Sequence, residues 1–335
     1  MPMMPATSEL RRIFLLDDGG APVVRLDGHP TARRAPAVVA IGAFDGFHIG
    51  HQELVAKTVA DAREHGVAAY VVTFDPDPDC VVGPGPAKRL LTTDDRLAML
   101  AASGVDGVAV VPFTPAVAHL DHAAFFERFL APVLDVRAVH VGADFRMGAG
   151  GASDVDALRS WGGERGVAVF GHHLVSADGT VVSATRIRGQ LASGEVEAAA
   201  YELGRPYVVR GRVVAGRGQG THMGFPTANI EVSAAMQMPA DGVYAGLALV
   251  DGTVWPAAVN AGLPPTFATA AGSAHLEANL IGLTANVRGS AIALAFTRFI
   301  RPSRVFASQD ELIATVLANI DQIRTQYGGS GVRIA

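Results

Sequence analysis

The stretch AVVAIGAFDGFHIGH, residues 37–51, decides the fold of the first half of the chain. Five apolar residues are followed by a turn that contains three glycines, and a segment with helical periodicity comes next. A short apolar run bounded by glycines is typical of a buried strand, and a strand that leads through a glycine turn into a helix is typical of a βαβ unit. The stretch therefore predicts an α/β fold, with this turn at the carboxyl end of a parallel strand.

The same alternation of apolar runs and helical patterns continues to about residue 203, which predicts a parallel sheet in a first domain of residues 1–203. The strand candidates are residues 37–41, 68–74, 107–111, 138–141 and 167–170. The helix candidates begin near Gly50, Thr93, His122 and Ser153. Thr92 and Ser153 are the candidate N-caps of the second and fourth of these helices.

After residue 204 the pattern changes to short β runs that are separated by glycine and proline turns. The runs are residues 207–214, 243–250, 254–259, 275–281 and 292–299. This spacing predicts a small antiparallel β-barrel in a second domain of residues 204–335, and an amphipathic segment at 309–327 predicts a closing helix. The chain ends, before residue 10 and after residue 328, are expected to fray.

Composition limits the partners and the location of the chain. With 27 basic and 32 acidic residues the net charge is −5, which predicts no nucleic-acid partner. The longest apolar run near the start, residues 13–16, is far shorter than the roughly 20 residues that span a bilayer. We therefore expect a cytoplasmic protein with no membrane association, and its single cysteine excludes an internal disulfide.

Two histidines in the opening stretch, His48 and His51, are the first candidate catalytic residues. Glycines at the carboxyl end of a strand let the backbone approach phosphates, and a helix N-terminus supplies free N–H groups. As hydrogen-bond donors, the two imidazoles would stabilise charge on a pentavalent phosphorus. Two alternatives remain open, namely ordinary polar residues at a helix start and two metal ligands. The candidate nucleotide-binding residues of this turn are Gly42, Phe44, Asp45, Gly46 and Gly50.

Two further motifs contain groups that bind phosphate or metal. In residues 183–188, Ser183 or Thr185 can cap a helix while Arg186 and Arg188 reach phosphates; the alternative is a capped surface helix with solvated arginines. In residues 224–229, the hydroxyl of Thr227 and the side-chain carbonyl of Asn229 are oxygen ligands suited to Mg²⁺; the alternative is a turn that leads into an edge strand. The candidate nucleotide-binding residues beside this second motif are Gly216, Gly218, Gly220, Gly224 and Pro226.

These motifs resemble those of the bifunctional prokaryotic riboflavin kinase/FMN adenylyltransferase family. The family pattern G-x-F-D-G-x-H-x-G-H is intact at residues 42–51, and its T-F-D-P-H-P and S-S-T-R-I-R motifs appear as TFDPDP at 73–78 and SATRIR at 183–188. The family's V-G-x-D-F-x-F-G stretch is matched at 141–148, and its kinase signature G-F-P-T-A-N is intact at 224–229. The resemblance covers residues 36 to about 325.

The resemblance implies a Rossmann-like nucleotidyltransferase domain followed by a riboflavin kinase β-barrel with a C-terminal helix. It implies ATP-dependent phosphorylation of riboflavin to FMN and adenylylation of FMN to FAD, with Mg²⁺ as cofactor and FMN and FAD as intermediate and product. The implied partners are small molecules, in a monomer or weak homo-oligomer. Asp144, Phe145 and Asn260 are implied to bind flavin, and Glu277 to act as general base on the ribityl 5′-hydroxyl, although alone it would be a surface-strand carboxylate.

Several positions depart from the family pattern. Asp77 replaces a histidine, which implies either repulsion of phosphates or recruitment of Mg²⁺. In the kinase half the departing residues are Gln219, Thr221, Asn279, Arg288 and Asn319, and the lost cations imply weaker ATP binding. The departures leave two other functions open: a divergent paralogue acting on a modified flavin or another small substrate, and a non-catalytic flavin- or nucleotide-binding regulator.

Overall fold

The computed structural model describes residues 3–15, 19–26, 34–83, 85, 88–173, 175–216, 220, 223–262 and 274–334. The chain forms two compact units. Residues 18–184 form one, here called the α/β unit, and residues 1–17 with 185–335 form the other, here called the barrel unit. The amino-terminal helix α1 (Thr7–Phe14) belongs to the barrel unit. These units follow spatial contacts, so the domain boundary expected near residue 204 stays a prediction.

The α/β unit contains a six-stranded parallel sheet. The strands of the sheet and of a short hairpin after it are β1 (Val23–Arg25), β2 (Ala35–Ile41), β3 (Ala68–Asp75), β4 (Gly107–Pro112), β5 (Leu134–Gly142), β6 (Ala168–His172), β7 (Ser176–Ala177) and β8 (Thr180–Val181). The helices are α2 (Ile49–Glu64), α3 (Asp79–Val82), α4 (Thr93–Ala101), α5 (Pro115–Ala118), α6 (His122–Phe125) and α7 (Val155–Gly163). The predicted α/β fold is confirmed.

The central strand β2 is apolar on both faces because helical layers cover both sides of the sheet. Ala37, Val39 and Ile41 belong to one buried cluster, which includes aromatic residues between β4 and β5. Val38 and Ala40 belong to the other, together with residues of α2. The continuous apolar run that predicted this strand is therefore explained by burial on both faces.

The sheet order is β1-β4-β3-β2-β5-β6. From β2 the chain continues to β3 and β4 on one side, whereas β5 and β6 lie on the other. The carboxyl end of β2 is thus the topological switch point of the sheet, where such folds bind ligands. Residues 42–51 begin there.

The barrel unit is a closed antiparallel barrel, as predicted. It has six strands, and the one at residues 228–232 was not among the five predicted runs. The strand order is β11-β14-β9-β10-β13-β12, and the pairing of β12 with β11 closes the barrel. The short strand β15 also pairs with β12. The strands are β9 (Tyr207–Val214), β10 (Ala228–Val232), β11 (Gly242–Val250), β12 (Thr253–Ala261), β13 (Ala274–Leu280), β14 (Ala291–Pro302) and β15 (Val332–Arg333). The helices are α8 (Ala184–Ala192), α9 (Val196–Leu203) and α10 (Gln309–Tyr327). Since β10 pairs with β9 and β13, the edge-strand alternative for residues 224–229 is wrong.

The chain ends are more ordered than predicted. In α1, Leu10 and Phe14 are fully buried and pack with Leu247 and Val254 of the barrel. At the other end β15 pairs with β12, so the expected fraying is wrong for residues 7–9 and 332–333. A short helix with one apolar face gains its order from tertiary packing, which a sequence pattern near a chain end does not reveal.

The helix starts agree with the sequence in one case and differ in another. Thr92 caps α4 by accepting a hydrogen bond from the amide of Asp95, as predicted. For α7 the cap is Asp154, which accepts from the amide of Ala157, and the prediction of Ser153 is wrong. Within the described ranges, no helix is long and apolar enough to cross a bilayer.

Candidate active sites

Residues 42–51 comprise the loop after β2 and the first three residues of α2, and they are here called the histidine turn. A short 3₁₀ turn at Asp45–Phe47 is followed by His48, which is extended and precedes the first residue of α2. Gly46 has φ of 75°, a left-handed conformation that glycine adopts without steric cost. The chain can therefore turn sharply between the sheet and the helix, and the helix N-terminus lies at the switch point.

Asp45 anchors the histidine turn to the segment before α4. Its buried carboxylate accepts hydrogen bonds from the backbone amides of Leu90 at 3.0 Å and Leu91 at 3.2 Å. A buried carboxylate needs such donors, because an uncompensated charge is costly away from water. The structure thus gives Asp45 a supporting position, and direct binding of a nucleotide by this residue stays a prediction.

The two histidines lie against each other. Their rings stack with centroids 3.7 Å apart and an interplanar angle of 19°, and the ring of Phe44 meets the edge of His51 at 5.1 Å. Burial lowers the pKa of His51 well below 6.5, and the neighbouring His48 lowers it further. A neutral imidazole at pH 7 carries one N–H, so His51 can donate one hydrogen bond to an anion. The two rings are close enough to share one ligand.

Gly50 provides the space for the ring of His48. A Cβ atom at position 50 would lie 3.3 Å from two atoms of that ring, closer than an ordinary van der Waals contact. A side chain at position 50 would therefore displace the ring of His48, whereas the helix itself does not require glycine there.

Gly50→Ala should impair the histidine site without impairing the fold. Alanine favours a helix over glycine by about 1 kcal/mol, so the unfolding temperature should not fall. The displaced His48 ring should slow the reaction of the α/β unit by about 10-fold or more, since misplacement of a group by 1 Å can cost about 100-fold. Steady-state rates of this variant and of the control Gly163→Ala, which has open space around its Cβ, test this. Equal rates in the two variants would contradict it.

The lowered pKa of His51 predicts acid-sensitive stability of the α/β unit. The unfolded residue binds a proton near pH 6.5 while the folded residue does not. The stabilisation is therefore present above pH 6.5 and is lost as the pH falls below it. Burial also lowers the pKa of His140 and of His172, which adds to the trend.

Unfolding at pH 7.5, 6.5 and 5.5 measures this effect. Of the two tryptophans, Trp161 lies in the α/β unit and Trp255 in the barrel unit, so Trp255→Phe leaves one reporter for the α/β unit. The decline in unfolding free energy towards pH 5.5 should be shallower after His51→Asn in this background. An unchanged decline would show that His51 is not the neutral buried group described here.

Two of the three predicted flavin residues, Asp144 and Phe145, lie at the same edge of the sheet as the histidine turn. Ala40 of β2 is level with His140 of β5, so Gly142 at the end of β5 is level with Gly42. Asp144 follows as an exposed turn residue, and Phe145 is half-buried against the apolar cluster below the sheet. The structure brings both residues to the switch point, and their contact with flavin stays a prediction.

The predicted phosphate-binding motif at residues 183–188 is divided between the two compact units. Ser183 lies in the α/β unit, whereas Thr185, Arg186 and Arg188 lie in the barrel unit. Arg186 pairs with the buried carboxylate of Glu202 on α9 at 2.6 Å. Arg188 donates to the Thr185 hydroxyl at 3.3 Å. A fully solvated Arg186 is thus excluded, and no local sequence pattern had indicated Glu202 as its partner.

In the barrel, three predicted residues lie in one row across adjacent strands. Asn229 of β10 is directly opposite Glu277 of β13, which is directly opposite Asn260 of β12. Residues in register on neighbouring strands project to the same side of the sheet, and all three are half-buried. The barrel therefore assembles an amide, a carboxylate and a second amide from three distant parts of the chain.

Two of the predicted loop glycines lie against the predicted metal ligands. A Cβ atom on Gly216 would overlap the side-chain amide of Asn229, at 1.8 Å from its nitrogen. One on Gly220 would lie 3.1 Å from the hydroxyl of Thr227 and 2.6 Å from the carbonyl of Phe225. The backbone thus approaches both side chains closely. Gly224, which has φ of 87°, and Pro226 lie in the described part of the motif, and Gly218, Gln219 and Thr221 lie outside the described residues.

Two departures from the family pattern form hydrogen bonds of their own. Asn279 donates to the carbonyl of Pro226 at 2.8 Å, which supports the segment that carries Thr227. Asn319 on α10 accepts from Nε of Arg301 at 3.0 Å. Arg288 is exposed, and nothing in the structure explains that substitution. The first two substitutions are therefore compatible with an intact barrel site.

An α/β unit with paired histidines at its switch point, in one chain with a closed antiparallel barrel, defines a two-unit transferase class. Comparison with known proteins agrees with this class. A family model described as FAD synthetase matches residues 31–186, and one described as riboflavin kinase matches residues 203–327. The bifunctional riboflavin kinase/FMN adenylyltransferase of Pseudomonas fluorescens is 34% identical over 88% of this chain and 94% of its own length. That of Bacillus subtilis is 32% identical over 83% and 89%. The chain belongs to the family of bifunctional riboflavin kinase/FMN adenylyltransferases.

A solved structure shares the architecture. The crystal structure of a protein described as a macrolide-efflux protein from Streptococcus pneumoniae is similar with a TM-score of 0.80 and 27% identity, covering 90% of this chain and 98% of the other. A shared fold does not by itself define a shared activity. The motifs and their geometry therefore decide the function of this chain.

Proposed function

We propose that this chain makes FAD from riboflavin in two successive reactions. The barrel unit phosphorylates riboflavin with Mg-ATP to FMN, and the α/β unit transfers AMP from a second ATP to FMN and releases pyrophosphate. The observation that carries the proposal is the pair of stacked histidines at the switch point of the sheet, 3.7 Å apart. We further propose that the protein acts in the cytoplasm as a monomer or weak homo-oligomer.

In the α/β unit the chemistry is an in-line displacement at phosphorus. A phosphate oxygen of FMN attacks the α-phosphorus of ATP, a new P–O bond forms, and the bond to the departing pyrophosphate breaks. His48 and His51 donate hydrogen bonds to the phosphate oxygens, where negative charge increases. The amides at the start of α2 and the positive end of its dipole stabilise the same charge. Asp144 and Phe145 at the adjacent strand end are suited to hold the flavin.

In the barrel unit the chemistry is proton removal and phosphoryl transfer. Glu277 accepts the proton of the ribityl 5′-hydroxyl while the oxygen attacks the γ-phosphorus of ATP. A new P–O bond forms to the ribityl oxygen, and the bond between the γ-phosphorus and the departing ADP breaks. The hydroxyl of Thr227 and the carbonyl of Asn229 would hold Mg²⁺, which neutralises phosphate charge when bound. Gly216 and Gly220 lie close to these side chains, which supports this arrangement. Without side chains of their own, these two residues let the loop amides approach the phosphates of a nucleotide.

Incubation of the purified chain with riboflavin, ATP and MgCl₂, followed by chromatography, tests the proposal. FMN should appear first and FAD later. A parallel incubation with FMN as sole acceptor should give FAD directly. FAD from FMN but no FMN from riboflavin would indicate a paralogue with one surviving activity, and tight flavin binding with neither product would indicate a regulator.

A further inference from the structure

Asp77, which stands where the family usually has histidine, forms a buried ion pair with Arg96 of α4. The Oδ2 atom of Asp77 lies 3.0 Å from a guanidinium nitrogen of Arg96, and the two residues are only 7% and 3% exposed. The charge of this carboxylate is thus matched inside the protein. Arg96 therefore neutralises much of the charge with which Asp77 would repel phosphates or recruit Mg²⁺, and either effect stays a prediction.

Arg96 is also bonded to the backbone on both sides of the site. One guanidinium nitrogen donates to the carbonyl of Ala43 in the histidine turn at 2.8 Å, and another donates to the carbonyl of Phe74 at the end of β3. Thr73, fully buried on β3, adds a second hydrogen bond to the Ala43 carbonyl at 3.2 Å. A planar guanidinium presents several donors in a fixed geometry, so it can join several acceptors rigidly.

Ala43 lies between Gly42 and Phe44, in the part of the turn where the backbone has to approach phosphates. Its carbonyl is fixed by Arg96 and Thr73, while the carboxylate of Asp45 two residues later is fixed by the amides of Leu90 and Leu91. The segment from residue 90 to 96 therefore holds the histidine turn at two points. Neither point involves a histidine directly.

We propose that Arg96 is a positioning residue for adenylyl transfer, holding the histidine turn through the Ala43 carbonyl, and that Asp77 serves as its buried counter-ion. This inference rests on the proposed function of the α/β unit. Loss of the Ala43 contact should move the turn relative to the nucleotide, which weakens ATP binding as well as the reaction. Loss of the counter-ion alone should lower stability and leave the contact in place.

Arg96→Met and Asp77→Asn separate these two effects, because both remove the ion pair but only the first removes the donor to Ala43. Both variants should unfold at a lower temperature than the wild type. In FMN adenylylation, Arg96→Met should raise the KM for ATP about 10-fold and lower kcat about 10-fold, together about 100-fold in kcat/KM. Asp77→Asn should keep the KM for ATP within about 3-fold of wild type, since Arg96 still contacts the carbonyls. Phosphorylation of riboflavin should be unchanged in both and serves as the internal control.

A smaller folded fraction lowers the apparent kcat but does not change KM. An unchanged KM for ATP in Arg96→Met, or an equal rise in Asp77→Asn, would therefore overturn the inference. Arg96→Lys, which keeps the charge, should show an intermediate KM, and it decides the matter by the same criterion if Arg96→Met does not fold. If the wild type forms no FAD from FMN and ATP, the proposed function itself fails, whereas wild-type activity with an unaffected KM in the variants contradicts only the role of Arg96.

Discussion

Replacing His48 and His51 by alanine should remove FAD formation while riboflavin is still phosphorylated. In the proposed reaction each ring donates a hydrogen bond to a phosphate whose charge increases during transfer, and loss of one such donor typically costs about 100- to 1,000-fold in kcat. Each single variant should fall by about this factor. The double variant should fall by less than the product of the two factors, because rings stacked at 3.7 Å act on the same group. Chromatographic measurement of FAD from FMN, and of FMN from riboflavin, checks both activities in one preparation.

His65, directly after the last residue of α2, offers a control for the histidine substitutions. It is exposed at the opposite end of α2 and contacts Asp61, so His65→Asn should leave both activities within about 2-fold of wild type. A loss of FAD formation in His65→Asn comparable to that in His48→Ala would show that the effect comes from the helix and not from the histidine pair. Loss of riboflavin phosphorylation in His48→Ala would likewise contradict separate sites.

Glu277→Gln should have the opposite selectivity. The change keeps the shape of the side chain but removes the proposed proton acceptor, and general base catalysis typically contributes about 100- to 10,000-fold. FMN formation from riboflavin should fall by that range, and FAD formation from supplied FMN should be unaffected. Initial rates with riboflavin or FMN as sole acceptor distinguish the two reactions.

Glu231→Gln is the matched control, since Glu231 is an exposed carboxylate on β10, two residues from Asn229. It should retain riboflavin phosphorylation. Asn229→Ala should weaken the kinase reaction most strongly at low MgCl₂ concentrations and be partly restored at high ones. Full kinase activity in Glu277→Gln would show that another group accepts the proton, and the row of Asn229, Glu277 and Asn260 would then serve binding alone.

Most of the fold could be predicted because its strands and last helix are marked by simple patterns. The five strand candidates of the first half agree with β2 to β6, and the helix predicted at 309–327 coincides with α10. Most of these strands are apolar runs with glycine or proline near their ends, and the helix has apolar residues at helical spacing. The short elements β1, α1 and β15 were missed because two to eight residues near a chain end or a loop contain too little periodicity.

The position of the site could also be predicted, whereas its internal contacts could not. The motif at residues 42–51 indicated the switch point, because glycines and a helix start directly after a buried strand are typical of a phosphate-binding turn. By contrast, the pairing of Asp77 with Arg96 and of Arg186 with Glu202 depends on which helix packs beside which turn. The same holds for the row in the barrel, because strand register is set by pairing between distant segments. The sequence gives the charge of each of these side chains, but it does not show which side chain lies next to which.

The central claim is that the α/β unit transfers AMP from ATP to FMN with the help of hydrogen bonds from His48 and His51. Labelled ATP tests this claim most directly. Wild-type protein supplied with FMN and ATP labelled at the α-phosphorus should place the label in FAD, and ATP labelled at the γ-phosphorus should place it in pyrophosphate. The His48→Ala/His51→Ala variant should leave both labels in ATP. Label in FAD at the wild-type rate in that variant, or no labelled FAD from the wild type, would contradict the account.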